Sequence, residues 1–194
     1  TEREFDVDSS SVLDLVEQAV YKAVADAGIS KASLADLDSL VVVKSFREST
    51  RNSPEALANR IGATRASQWL MPNGGNGPQY LVNRYSEAIA NGESRFVLFA
   101  GAEAMATARK IVKTTGEQPS WQEAASGDPK FLVEDAELST LHEQQHGLWL
   151  APGFYAMSEN ARRHQLGHSV EEHQLGLGEL FARFTEVAAK SPHA

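Results

Sequence analysis

The chain of 194 residues contains no cysteine. That absence removes disulfides, thiolate zinc sites, iron–sulfur ligation and every mechanism that needs a cysteine nucleophile. Positive charge is also short. Lys+Arg number 18 against 26 Asp+Glu, for a net charge of -8, which disfavours a general nucleic-acid binder because phosphate contacts rely on clustered Lys and Arg. No run of about 18 apolar residues occurs, so no span of a membrane is expected. The start, Thr1-Glu2-Arg3-Glu4-Phe5-Asp6, lacks the basic and apolar regions of a secretory signal, and the expected address is the cytoplasm. Internal repeats and low-complexity tracts are missing. The absence of an initial Met and the ending Lys190-Ser191-Pro192-His193-Ala194 are compatible with cut edges at both ends.

What is present describes a globular chain: 42% hydrophobic and 23% charged residues. The length suits one domain, or one domain with a sizeable insertion, and such a chain buries roughly 70% of its unfolded surface without a staple. Ser9-Ser10-Ser11 offers N-cap hydroxyls to a helix whose apolar positions run Val12, Leu13, Val16, Ala19, Val20, Ala23, Val24 and Ala27, with Gly28 to end it. Leu37 to Val43 reads as a buried strand, Pro54 opens a short helix ending near Gly62, and Gln68-Trp69-Leu70-Met71 is a short strand stopped by Pro72. A helix carrying Tyr80, Leu81, Tyr85, Ala88 and Ile89 follows, then a strand over Arg95 to Gly101. This alternation is the rhythm of an α/β domain. From about Thr114 to Gly153 the periodicity degrades into an irregular insertion in which Leu138 and Leu141 hint at a short helix. Two more helices close the chain. One spans Tyr155 to Gln165, and the other opens with the capping box Ser169-Val170-Glu171-Glu172 and carries Val170, Leu177, Leu180, Phe181, Phe184 and Val187 on one face.

Three constellations can carry chemistry. Asn73-Gly74-Gly75-Asn76-Gly77 lies at a strand-to-helix junction, where bare N–H groups and a helix N-terminus suit an anion or a developing oxyanion, or where a tight turn simply packs helix against sheet. Its glycines are expected to make positive φ available at several positions. The motif is neither a Walker loop nor a dinucleotide fingerprint. His142-Glu143-Gln144-Gln145-His146 matches H-E-x-x-H, a helical spacing that lets two imidazoles share zinc with the Glu as base, and Glu171 or Glu172 as a conceivable third ligand. Against that zinc metallohydrolase reading, Gly147 ends the helix at once and the helix is short and polar, which fits two surface histidines. His164, His168 and His173 straddle Gly167 at a helix–helix turn and read as solvated helix-end residues.

In order along the chain, several segments resemble thiolases. Ala88-Ile89-Ala90-Asn91-Gly92-Glu93 leading through a strand to Ala100-Gly101-Ala102-Glu103-Ala104-Met105 is similar to the family's A-I-x-x-G-[DE], strand, A-G-G-x-E-S-M pattern. Asp26-Ala27-Gly28-Ile29 and the strand near Val41 resemble its first helix and second strand. Ser158-Glu159-Asn160-Ala161 resembles the T-A-E-N helix of the thiolase loop domain, Ser169 to Glu172 its S-R-E-E start, and Leu180 to Ala189 a helix of the thiolase-like, acetyl-CoA acetyltransferase-like subgroup. The resemblance implies an α/β thiolase-like fold, with a first half built on a mixed five-stranded sheet flanked by helices (residues 1–113) and an inserted, mostly helical loop domain (114–194). It implies an acyltransferase acting on a coenzyme A thioester as substrate, with no cofactor and no metal, working as a homo- or hetero-oligomer with the missing C-terminal half or a second subunit.

The departures matter as much. By the resemblance, the thiolase nucleophile position falls on Gly75, the loop-domain histidine is expected near Gly153 and is not there, and the family's first strand and second half are expected to lie outside these residues. Cysteine-dependent thiolysis is therefore altered or lost here. Asn73 and Asn76 are then expected to orient an acyl group, and Gly74, Gly75 and Gly77 to leave space for it. A non-catalytic partner or scaffold subunit of an acyl-CoA-processing complex is the alternative.

Overall fold

The computed structural model describes residues 10–47, 50–135 and 139–191. Ser9, Leu138, Pro192, His193, Ala194 and the N-terminal residues 1–6 lie outside these. By its contacts the chain divides into Thr1–Ala136 and Glu137–Ala194.

In the first unit, α1 (Val12–Asp26) starts where Ser11 Oγ accepts the Asp14 N–H at 3.0 Å while the Asp14 carboxylate accepts the Ser11 N–H at 2.8 Å. This reciprocal cap satisfies two of the donors that a helix start leaves open. Only Leu13, Val16, Val20 and Val24 are buried, so the apolar stripe is narrower than the sequence suggests: Ala19, Ala23 and Ala27 face water. Ala27 caps the helix and Gly28 takes the left-handed turn after it, at φ 67°. A short 3-10 helix (Lys31–Asp36) leads to β1 (Ser39–Val43).

α2 (Ser53–Ile61) is capped by Asn52, carries Pro54 in its first turn and stops at Gly62 with φ 75°. β2 (Ser67–Met71), α3 (Gly77–Ala90) and β3 (Val97–Ala100) follow. The three strands form a parallel sheet ordered β2-β1-β3, with Ser39 facing both Ser67 and Val97. Asp38 fastens the central strand to its neighbour, its carboxylate accepting the N–H groups of Arg95 (2.7 Å) and Phe96 (2.9 Å). Among the described residues the sheet has three strands, all parallel, and β3 is an edge strand.

β1 is buried on both faces. Leu40 and Val42 join Leu13, Val16, Val20, Leu57 and Leu70 in a core under α1 and α2, whereas Val41 joins Met71, Leu81 and Tyr85 under α3. A continuous Leu-Val-Val-Val run is what a parallel strand with helices on both sides requires.

The sequence does not anticipate α4 (Met105–Thr115), which buries Thr107, Ala108 and Ile111. Two small side chains and one isoleucine make too thin a stripe to read. Residues 116–135 carry no helix, yet they belong to this unit by their contacts. Leu70 N–H donates to Lys130 C=O and Leu132 N–H to Leu70 C=O, at 2.8 and 2.9 Å, adding a bridge along β2. Arg60, 23% exposed at its side chain, pairs with Glu123 and with Asp14 and Glu17 of α1. Glu55 accepts from both the N–H and the hydroxyl of Ser126 at 2.6 Å. The stretch from 114 that the sequence groups with the insertion is thus divided by contacts after Ala136.

The second unit holds α5 (Leu141–Gln145), α6 (Ala151–Leu166) and α7 (Val170–Ala188). α6 begins four residues earlier than its apolar pattern shows, because Pro152 sits in the first turn, where its missing N–H costs nothing. α7 starts on the expected box, Ser169 Oγ accepting the Glu172 N–H at 3.2 Å. Val170, Leu180, Phe181, Phe184 and Val187 of α7 are all exposed.

Two predictions follow from this packing. Leu81 is fully buried and anchors α3, so Leu81→Ala should lose about 2–5 kcal/mol in urea unfolding. Asp38, Glu143 and Glu172 have carboxyl pKa values held low by backbone N–H donors, and at Asp14 burial opposes the same lowering, but hydrogen bonds from Ser11 and Arg60 outweigh it. Groups whose folded pKa is depressed stabilise the fold above the unfolded carboxylate range and lose that contribution as pH falls through the folded values. Urea midpoints should therefore hold from neutrality to about pH 5 and drop below about pH 4.

Candidate functional site

The glycine loop connects the C-terminal end of β2 to α3. Met71 and Pro72 are buried, and the Lys44 N–H donates to Met71 C=O at 2.9 Å, extending the β1–β2 ladder to the loop's base. The chain then turns with the Gly77 N–H donating to Gly74 C=O at 3.0 Å. None of Gly74, Gly75 and Gly77 has a positive φ, contrary to the expectation from composition. Gly77 is buried where the start of α3 meets the end of β2. A Cβ there would lie 3.5 Å from Met71 Cε and 3.9 Å from Pro72 C=O, ordinary contact distances that place the helix start close against the strand end. At Gly74 a Cβ would come within 3.0 Å of Asn76 Oδ1.

Gly75 differs from both. It is exposed, and a Cβ built on it would meet nothing within 4 Å. Asn76 is the N-cap of α3, but its side chain makes no capping hydrogen bond. Only its C=O is engaged, by the Tyr80 N–H at 2.9 Å. Pro78 has no N–H, and the Gln79 N–H lies in the first turn, where no intrahelical acceptor exists. The Gln79 side chain turns along the helix to donate to Asn83 Oδ1 at 2.8 Å. The result is a helix N-terminus of fourteen residues that opens onto solvent beside Asn73, Gly74 and Gly75 without a side-chain cap. Such an end carries partial positive charge and can hold a carboxylate or a polarised carbonyl oxygen. The five residues singled out in the sequence thus share one turn.

The histidine motif is arranged otherwise. His142 and His146 do lie on one face, ring centroids 4.5 Å apart. Glu143, however, accepts the Thr140 N–H at 2.7 Å and the Thr140 hydroxyl at 2.9 Å, closing a capping box for α5, and these donors hold its carboxyl pKa low. His146 is the C-cap of a five-residue helix, with Nδ1 2.8 Å from His142 C=O. Among the described residues no group of three or more His, Asp or Glu is gathered in a way that can hold a metal, and Glu171 and Glu172 do not complete one. Of the other cluster, His173 is not a solvated residue: its Nε2 meets Glu159 Oε2 at 2.8 Å across the α6–α7 turn, and its side chain is 13% exposed.

One region escaped the sequence reading. The connections leave β1 toward β2 on one side and reach β3 on the other, so the strand order reverses beside β1, the place where open α/β sheets bind ligands. There Glu103 receives the Phe46 N–H at 2.9 Å and the Ala104 N–H at 2.9 Å, and Gly101 sits so close that a Cβ would lie 3.0 Å from Val43 Cβ. Phe46, Arg47, Ala108, Pro119 and Trp121 line an adjacent cavity of about 250 Å³. Gly101 and Glu103 stand in the sequence within the stretch resembling A-G-G-x-E-S-M, but their pairing with the loop after β1 has no local signature.

No protein-family model matches the chain, and no curated protein matches it. Among solved structures, it is similar to a monomeric SCP2-thiolase-like protein type 1 from Mycobacterium smegmatis, with 31% identity and a TM-score of 0.67. The likeness covers 99% of this chain and 34% of that one, so the chain spans about a third of that protein's length. The chain has a thiolase-like fold.

The open space at Gly75 generates a prediction. Gly75→Cys should fold with a melting temperature close to that of the parent, and its thiol should be alkylated by iodoacetamide faster at pH 7 than a free cysteine, because the helix N-terminus favours the thiolate.

Proposed function

We propose that this chain is an acyl-CoA-binding part of a thiolase-like protein, of the acetyl-CoA acetyltransferase type, in which catalysis through a cysteine is altered or lost. The observation that carries the reading is the uncapped start of α3 opening beside Gly75, in a chain of thiolase-like fold. The exposed N–H groups of that turn suit the carbonyl oxygen of a thioester. Asn73 and Asn76 orient the acyl group, Gly74 and Gly75 leave room for it, and Gly77 starts the helix beneath it. With no side chain at Gly75 there is no acyl-enzyme, so any remaining chemistry is direct acyl transfer or a carbon–carbon step assisted by bases from outside these residues.

In the same reading, residues 114–194 correspond to a loop-domain insertion and the sheet continues past β3 to the mixed five strands of the family, β3 being an edge strand among the described residues. The rest of the fold comes from a C-terminal half or a second subunit, in a homo- or hetero-oligomer without nucleic acid. No described helix is long and apolar enough to cross a membrane, and the cytoplasm is the proposed location. A second reading, a non-catalytic scaffold subunit, is favoured by the exposed apolar residues of α7, which suit a partner better than water.

Calorimetric titration of the full-length protein with acetyl-CoA and longer acyl-CoAs separates the two. Saturable binding that weakens on replacing Gly75 with a bulky Trp is expected. No detectable binding at millimolar ligand, together with a stable complex with another subunit, leaves the scaffold reading.

A further inference from the structure

The start of α2 closes a small pocket away from the glycine loop. Its polar wall is made by Ser45, Thr50 and Ser53, exposed by only 7%, 6% and 4%, and its apolar wall by Leu13, Val16 and Val42. The space within is about 10 Å³. Ser53 Oγ is fully buried and has no hydrogen-bond partner among the described residues. Ser45 Oγ already accepts the Arg47 N–H at 3.0 Å, so its remaining capacity includes its own proton to donate. Ser53 is also the first residue of α2, and its N–H has no intrahelical acceptor.

A buried hydroxyl without a partner is rare in folded proteins, and a group of hydroxyls around a space of this size has a physical explanation. About 10–15 Å³ is the room that one water molecule needs, and two or more polar partners are what keep it there. A larger ligand does not fit, and a purely apolar pocket of the same size stays dry. We infer that this pocket is a binding site for one ordered water, which donates to or accepts from Ser53 Oγ and links it to Ser45. The bridge ties the connection leaving β1 to the first turn of α2, beside the place where the strand order reverses.

Crystal structures of the wild-type protein and Ser53→Ala at a resolution that shows ordered water test this. The wild type should show a single density peak within hydrogen-bonding distance of both Ser53 Oγ and Ser45 Oγ. In Ser53→Ala the peak should weaken or vanish and the melting temperature should fall. A dry pocket in the wild type overturns the inference, as does a peak without contact to Ser53. A melting temperature that is unchanged or higher in Ser53→Ala also overturns it, because removing a dry, unpartnered hydroxyl relieves a burden. Should the variant fail to fold, the wild-type density alone decides.

Discussion

The burial of β1 on both faces is the constraint that organises this chain. A parallel strand has no solvent side, so Leu40 and Val42 must find one helical layer and Val41 another. α1 and α2 supply the first and α3 the second. Once α3 is committed to covering Val41 through Leu81 and Tyr85, its N-terminus must stand at the carboxyl end of the sheet, because β2 delivers the chain there. The glycine loop makes that turn and brings Gly77 against Met71. Site and core are therefore one problem: the position of the open helix end follows from the packing underneath it.

Within the loop the glycines divide by role, a division that their identity alone does not disclose. A Cβ at Gly77 would make ordinary contact with Met71, and one at Gly74 would press on the Asn76 side chain. Gly75 is held by nothing. Sterics press only on Gly74, through a side chain that can shift, and leave Gly75 open, so the absence of a side chain at Gly75 is not a steric requirement of the fold.

Much of the α/β order was legible from sequence because parallel strands and amphipathic helices write themselves in local patterns. The runs around Val41 and Phe99, the proline at position 54 and the capping box at Ser169 all have short-range signatures, and each marks an element of the structure. What stayed hidden was non-local or thin. α4 exposes Arg109, Lys110 and Lys113 over a stripe of small side chains, too faint to register as periodicity. The His173–Glu159 pair joins residues fourteen apart across a turn, and Glu103 reaches the backbone of Phe46 fifty-seven residues away. The histidine motif misled for a different reason. The same Thr-x-x-Glu spacing that caps a helix also supplies the central Glu of H-E-x-x-H, and at α5 the cap takes the carboxylate.

The segment from Glu117 to Asp135 shows what such non-local ties mean for the way a sequence can change over time. It has no helix and one isolated bridge, and it is fastened at intervals: Glu123 to Arg60, Ser126 to Glu55, Asp128 to Arg51, the Lys130 carbonyl to Leu70, and Asp135 to Lys44. Between those ties Ala125, Leu132 and Val133 also pack against the two cores, so selection acting on stability sees scattered points rather than a periodic pattern. Such a stretch can drift in composition and length between those points while its attachments persist. Its ancestry would then be traceable in space long after it had been erased from the letters.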